Sequence, residues 1–365
     1  MSLTTQRTEM PACRRPSGWR RLNSAATVLW RAPKVIQVEL GDRRITVSDV
    51  EPEQVAALLA DPVRDAPDPD GAQQRAPLRG GALELAELLY GAGFLTRRGP
   101  DALPVGQLPA YLNAELNALV GRYGERGFDV LGRRRRAMVT VHGTSRVTVS
   151  IAAGLANAGV GHVHLADGGD VAAADACPGG LSPADEGRRF GISGAAAVRR
   201  SAPDVSTGPP GRSRRPDLVV LTDPAPLDPS VRDALHLDGF THLSAFTAGS
   251  RAVVGPLVVP GRTSCLRCAD LHRADRDPCW PAFAVQLARR HRHRAASEVA
   301  LCLATAGLTV GQALHHLDGN RAETLDGTLE WQLPDWRLRR RSWPPHPDCD
   351  CSATASEPAD GRMGP

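Results

Sequence analysis

Apolar and polar positions alternate most clearly between Val35 and Val50, where Val-Ile-Gln-Val-Glu-Leu and Arg-Ile-Thr-Val-Ser-Asp-Val flank Gly41-Asp42. A period of two on either side of a turn pair predicts a β-hairpin. Glu53–Leu59 reads as a short helix started at Pro52, and Asp61–Arg79, rich in Asp, Pro and Gly, as a loop. Helical spacing returns over Gly81–Gly91 through Leu83, Leu85, Leu88 and Leu89, and Phe94-Leu95 closes as a strand. Together these predict a small winged-helix-like α+β module over residues 28–100, preceded by a flexible arm at 1–27. Leu108–Arg122 is expected as a connecting helix inside a helical linker, 101–136.

The pattern changes at Ala137. Met138–His142 is a β-branched run that ends at Gly143; Val147, Ile151 and Leu155 then follow a helical period. After the turn Gly159-Val-Gly161, a second strand, His162–Ala166, delivers Asp167 at its carboxyl end. Strand, glycine turn, helix, strand and terminal acid make a nucleotide-binding βαβ unit. Backbone N–H groups at the helix start can face a phosphate, and the acid can accept from a ribose hydroxyl. A G-x-G-x-x-G frame begun at Gly143 meets Ser145 and Thr148 in place of its later glycines. Asp217–Thr222 reads as a buried parallel strand carrying Asp223 at its end, and His242–Ala245 and Ala252–Val259 extend the sheet. Pro203–Pro216 reads as a loop, Ser297–Leu317 as a long apolar helix, and Thr328–Leu333 and Trp336–Arg341 as late strands. The expected class is α/β, a Rossmann-like, mostly parallel sheet over 137–351, with a disordered tail at 352–365.

Composition removes several alternatives. The length of 365 residues suggests about two domains. Lys34 is the only lysine among 44 basic residues, so no Walker A loop and no catalytic lysine lies beyond the N-terminal region. A net charge of +4 does not by itself imply nucleic acid. The run Arg133–Arg136 reads as a solvated flank, with duplex DNA binding as the least favoured alternative. The first 25 residues carry no apolar segment of the signal-peptide kind, and Val299–Leu314 contains Gly, Thr and Gln and falls short of a membrane span. A soluble, cytoplasmic chain is expected, whose eight cysteines serve as thiols or metal ligands rather than disulfides.

Two close pairs, Cys265-Leu-Arg-Cys268 and Cys349-Asp-Cys351, can present four thiolates to a structural zinc ion. The alternatives are unpaired thiols, or His346 in place of one cysteine. Asp167 and Asp223 both end predicted strands, where open α/β sheets bind ligands; one would contact ribose and the other magnesium near the phosphates. Both also suit ordinary turns. Cys279 has no activating base nearby and reads as a loop thiol, and Cys177 and Cys302 read as packing residues.

Across residues 125–351 the chain resembles the ThiF/MoeB/HesA family, bacterial relatives of the ubiquitin-activating enzymes. The resemblance rests on the turn Ala158–Gly161 counted from Gly143, on Asp167, on Thr222-Asp223, and on Gly255-Pro256-Leu followed by Cys265-x-x-Cys268. It implies ATP-magnesium binding, adenylation of the C-terminal carboxylate of a peptide or small protein, and a homodimer. Asp167 would then hold the ribose, Asp223 the magnesium and four cysteines the zinc, with Gly143 and Ser145 lining the phosphate turn. The family's Asn-x-x-Arg falls at Asp175 and Pro178, and its lysine at Phe190, with Arg188 and Arg189 adjacent. Arg189 can partly replace the missing charge; Phe190 cannot. Losing charges aimed at a triphosphate slows adenylation by orders of magnitude. The N-terminal module is similar to PqqD-like domains that bind leader peptides, and the combination resembles partner proteins that pass a ribosomal peptide to a YcaO-type cyclodehydratase. Two functions are therefore expected: adenylation, or leader-peptide binding without ATP chemistry.

Overall fold

The computed structural model describes residues 21–23, 26–41, 43–59, 81–96, 108–166, 168–211, 214–224, 226–290 and 297–351. The expected arm up to residue 20, the Asp61–Arg79 loop, Asp167 and the 352–365 tail lie outside the described residues. The chain divides into two compact units, one comprising Met1–Leu108 with Leu116–Asp129, the other Pro109–Glu115 with Val130–Pro365.

The first unit holds a three-stranded antiparallel sheet in the order β2 (Thr27–Ala32), β3 (Val35–Leu40), β4 (Arg43–Ser48). A separate antiparallel pair joins β1 (Arg21–Leu22) to β5 (Leu95–Thr96). Helices α1 (Pro52–Leu59) and α2 (Gly81–Gly91) belong to the same unit. Ile36, Val38 and Leu40 on β3 are buried with Val55, Leu58, Leu85, Leu89 and Phe94. The hairpin at Gly41 forms as its alternation predicts, Gly41 taking a φ of +62°. The arm expected up to residue 27 is corrected, because β1 and the start of β2 fall within it. That signal was hidden because β2 is an edge strand, with Leu29 and Trp30 both exposed and no buried face to impose a period of two.

Helices α3 (Asn113–Tyr123) and α4 (Arg126–Arg136) follow. The seven-stranded sheet of the second unit is built from β6 (Met138–His142), β7 (His162–Leu165), β8 (Leu218–Leu221), β9 (His242–Ala248), β10 (Arg251–Val258), β11 (Gly327–Gln332) and β12 (Arg339–Ser342), in the order β12-β11-β10-β9-β8-β6-β7. The four strands from β9 to β7 pair in parallel; β10, β11 and β12 are added antiparallel. One face of the parallel strands, Val139, Val141, Val163, Leu165, Val220 and Leu243, is buried in a single core. Residues of α5 (Thr148–Asn157), α6 (Phe190–Ser201) and α10 (Val299–Leu317) belong to the same core. Val219 and Leu221 point the other way, into a smaller cluster with the start of α8 (Leu266–Arg276). Helices α6 and α8 escape the sequence reading, as do α7 (Pro229–Leu237), which buries no residue, and α9 (Trp280–Arg290), which exposes Phe283, Val285 and Leu287. The last strand begins at Arg339, not Trp336, since Trp336 sits at φ +55° and breaks the extended run.

The arginine run at the end of α4 is not uniformly solvated. Arg134 is buried: its Nε and Nη2 form a fork on the Asp318 carboxylate at 2.7 Å each, and Nη1 reaches Glu115 at 2.6 Å. Arg136, two residues on, is exposed.

His242 opens β9 with its ring buried. Nδ1–H donates to the Phe240 carbonyl at 2.8 Å, while Nε2 is buried without a partner among the described residues. Burial pushes its pKa down to about 4. The unfolded chain, with an ordinary histidine near 6.5, takes up this proton first, so the contribution is complete above pH ~6.5 and is lost as pH falls towards 4. We expect denaturant stability to drop by a few kcal/mol across that window, and the slope to flatten in His242→Asn. An unchanged slope in the variant would refute the assignment.

Candidate functional site

The order β7-β6-β8 places a switch point between β6 and β8, where the chain leaves the carboxyl ends of the two strands in opposite directions. Open α/β sheets hold ligands in such a crevice. β6 delivers Gly143 there and β8 delivers Asp223. Gly143 adopts φ +115°, and a Cβ on it would stand 2.3 Å from Thr222 Oγ1 and 2.8 Å from Asp223 Oδ1. Only glycine fits. The next N–H, of Thr144, donates to Asp223 Oδ1 at 3.2 Å, so the acid also holds the turn in place.

The two positions where glycines are replaced are joined by a chain of hydroxyls. Ser145 Oγ and Thr148 Oγ1 share a hydrogen bond of 3.2 Å, Thr148 Oγ1 and Thr222 Oγ1 one of 2.6 Å, and Thr222 Oγ1 donates to the His142 carbonyl at 2.9 Å. Each hydroxyl has one proton. Because Thr222 spends its proton on the carbonyl, Thr148 donates to Thr222 and Ser145 to Thr148. The Ser145 hydroxyl is left with lone pairs and no proton for a phosphate. His142, unassigned from sequence, ends β6 at the mouth; burial first, then His164, lowers its pKa. Its only sequence signal is a polar residue directly before the glycine turn.

The remaining residues assigned from sequence divide. Ala166 N donates to Val141 O at 3.1 Å, which sets the end of β7 beside that of β6; Asp167 itself is outside the described residues. Arg189 precedes α6, is half exposed, and pairs with Asp170 at 3.4 Å. Phe190 is fully buried in the main core. Asp175 Oδ2 accepts from Ala172 N at 2.8 Å, and Pro178 O accepts from Ser150 Oγ at 3.0 Å. Arg146, also unassigned from sequence, ties this turn to two others through the Ala176 and Ser297 carbonyls, at 2.7 and 2.8 Å.

Cys265 stands immediately before α8 and Cys268 lies in its first turn, while Cys349 and Cys351 come from the chain after β12. Their sulfurs lie 3.7 Å (265–268), 3.6 Å (265–349) and 3.5 Å (268–351) apart. Four sulfurs at about 2.3 Å from one tetrahedral ion stand about 3.8 Å apart, so the group can hold a metal ion with little movement. Hydrogen bonding to Cys268, then burial, pushes the Cys265 thiol up. His346 does not replace a cysteine. Its Nε2 is 2.9 Å from Asp275 Oδ2, and its Nδ1 accepts from Asp348 N. Cys279 is exposed, and Cys177 and Cys302 are buried side by side, Cys302 drawing the Cys177 thiol down to about 6.

No family model and no curated protein sequence matches the chain. Solved structures do. E. coli MccB with MccA-N7isoASN superposes with a TM-score of 0.63 at 14% identity, covering 92% of this chain and 99% of that one. MccB with ATP gives 0.62 at 15%, covering 91% and 99%. PaaA gives 0.53 at 15%, covering 71% and 92%. At such identities the likeness is one of fold, and it supports the ThiF-type fold expected from the sequence.

Gly143 and Gly179 both have positive φ, but only Gly143 has no room for a Cβ. Gly179→Ala should therefore cost about 1 kcal/mol and Gly143→Ala clearly more, on the order of 2–4 kcal/mol, in denaturant titrations. Equal costs would show that the turn is looser than described.

Proposed function

We propose that the protein binds a ribosomally made peptide or small protein and adenylates its carboxylate with ATP and magnesium. The observation that carries this reading is the meeting of Gly143 and Asp223 at the β6–β8 switch point. In support, the fold neighbours include MccB with ATP and the microcin C7 biosynthetic enzyme MccB in complex with N-formylated MccA. In this reading backbone N–H groups at the Gly143–Ser145 turn face the phosphates, Asp167 takes the ribose, Asp223 orients magnesium, and Arg189 supplies positive charge. The peptide carboxylate oxygen attacks the α-phosphorus, the bond from that phosphorus to the bridging oxygen breaks, and pyrophosphate leaves with the electron pair. A peptide strand can add to β2, which pairs only with β3 among the described residues and exposes Leu29 and Trp30. The domain limits at 28–100, 101–136 and 137–351, a homodimer and a cytoplasmic setting belong to the same proposal. No helix among the described residues is long and apolar enough to cross a membrane.

Two observations favour a second reading, leader-peptide binding and delivery to a YcaO-type cyclodehydratase without ATP chemistry. Phe190 is buried in the core where the family's lysine would fall, and the Ser145 hydroxyl has no proton to offer a phosphate. Pyrophosphate–ATP exchange, run with peptides encoded by neighbouring genes, separates the two. Adenylation predicts exchange that falls by about 100-fold or more in Asp223→Asn. Tight peptide binding by calorimetry with no exchange would sink adenylation in favour of the second reading.

We assign zinc to the four cysteines, because an all-thiolate tetrahedral set suits it. Metal analysis should find one zinc ion per chain, lost in Cys265→Ser, and chelation should lower the melting temperature. Zinc content unchanged by the substitution would refute the ligand set.

A further inference from the structure

The parallel sheet has a second concave site, at the amino ends of its strands and so opposite the crevice. Arg135 and Arg136 enter β6, Gly161 and His162 begin β7, Ser206 is bridged to His162, and Arg214 precedes β8. These six residues line a cavity of about 490 Å³. That volume falls within the range of small-molecule sites, about 300–1,000 Å³.

The lining carries three guanidinium groups and no carboxylate. The nearby acid, Asp204, is already engaged. It accepts from Tyr111 Oη at 2.5 Å and pairs with Arg135. Burial alone would raise its pKa, but Tyr111 and Arg135 hold it below the usual carboxylate range, so it offsets one charge. Arg135 Nη1 is buried without a partner among the described residues and is closed to solvent, so this side chain contributes charge to the cavity rather than an open donor. Among the described residues the Arg214 side chain donates only to the Arg136 carbonyl, and the Arg136 side chain meets no acceptor. Gly161 keeps this arrangement close, since a Cβ there would fall 1.9 Å from the Arg135 carbonyl.

Guanidinium groups favour phosphate because their paired N–H donors match two of its oxygens. Two arginines without counter-charges among the described residues, beside a third whose charge Asp204 offsets, suit an anion with more than one phosphate. A concave pocket of this size suits a small molecule better than a nucleic-acid backbone, which tracks an open basic face. We propose that this pocket binds a di- or triphosphate-bearing small molecule, at a site separate from the Gly143–Asp223 crevice and independent of whether the crevice is active.

Calorimetry of the full chain with inorganic pyrophosphate, ADP and AMP tests this. Pyrophosphate should bind, and Arg136→Gln with Arg214→Gln should weaken it by about tenfold or more. Asp223→Asn should leave it unchanged. Equal binding of ADP and pyrophosphate would place recognition in the phosphates alone, and tighter ADP binding would add a nucleoside contact; weak AMP binding is expected in either case. Matching thermal melts will confirm that the glutamine variant folds; if it does not, the Arg136→Lys and Arg214→Lys pair, which keeps the charge and loses the fork, should bind with intermediate affinity. The proposal is overturned by absence of pyrophosphate binding, by binding that survives both arginine substitutions, by loss confined to Asp223→Asn, or by polynucleotide binding without pyrophosphate binding.

Discussion

Arg134 is the constraint on which the second unit is organised. It is nearly excluded from solvent, as is Asp318 opposite it, and the pair is joined by a two-pronged fork. Its third nitrogen serves both Glu115 and the Ala158 carbonyl at the end of α5. Its own carbonyl accepts from Gly161 N, next to the first residue of β7. One side chain and its backbone thus tie together the ends of α4, α5 and α10 and the start of β7. Burying such a pair is costly in desolvation, and the cost is offset only by close hydrogen bonding; here each of the three guanidinium nitrogens has at least one acceptor. Removing one partner of a pair of this kind costs about 3–5 kcal/mol, because it leaves the other charge buried alone.

Fixing Arg134 also decides where its neighbours go. Arg133 reaches the Asp318 carbonyl, whereas Arg135 and Arg136 turn to the amino edge of the sheet. The same run of four arginines therefore supplies a structural clamp and an anion-attracting cavity. At the opposite edge, the crevice combines contrary signals. Gly143 and Asp223 keep the close approach that a nucleotide turn requires, while Ser145, Thr148 and Thr222 close on one another. The hydroxyl chain stabilises the turn without a ligand and in doing so withdraws donors from one.

The four-cysteine group does for the chain end what Arg134 does for the helices. Between β12 and Cys349 the chain carries Trp343, whose Nε1 donates to Thr328 Oγ1 at 2.9 Å and whose ring lies beneath Arg273 and Arg276 of α8. His346 adds its contact to Asp275 on the same helix. A segment rich in Pro and Asp, with no regular structure after Ser342, is thereby held against α8 by side chains and by the four sulfurs.

The sequence by itself determined the hairpin at Gly41, the βαβ unit from Met138, the strand before Asp223 and the pairing of two cysteine doublets, because each rests on local periodicity or close spacing. It could not show β2, which lacks a buried face, or α7, which buries nothing. Nor could it divide Arg133–Arg136 into clamp and cavity, or reveal that Ser145 spends its proton on Thr148. Those outcomes depend on partners far along the chain, Asp318 for Arg134 and Thr222 for Thr148. A charge or a hydroxyl takes its meaning from whichever group folding brings beside it, and only the tertiary structure supplied those neighbours.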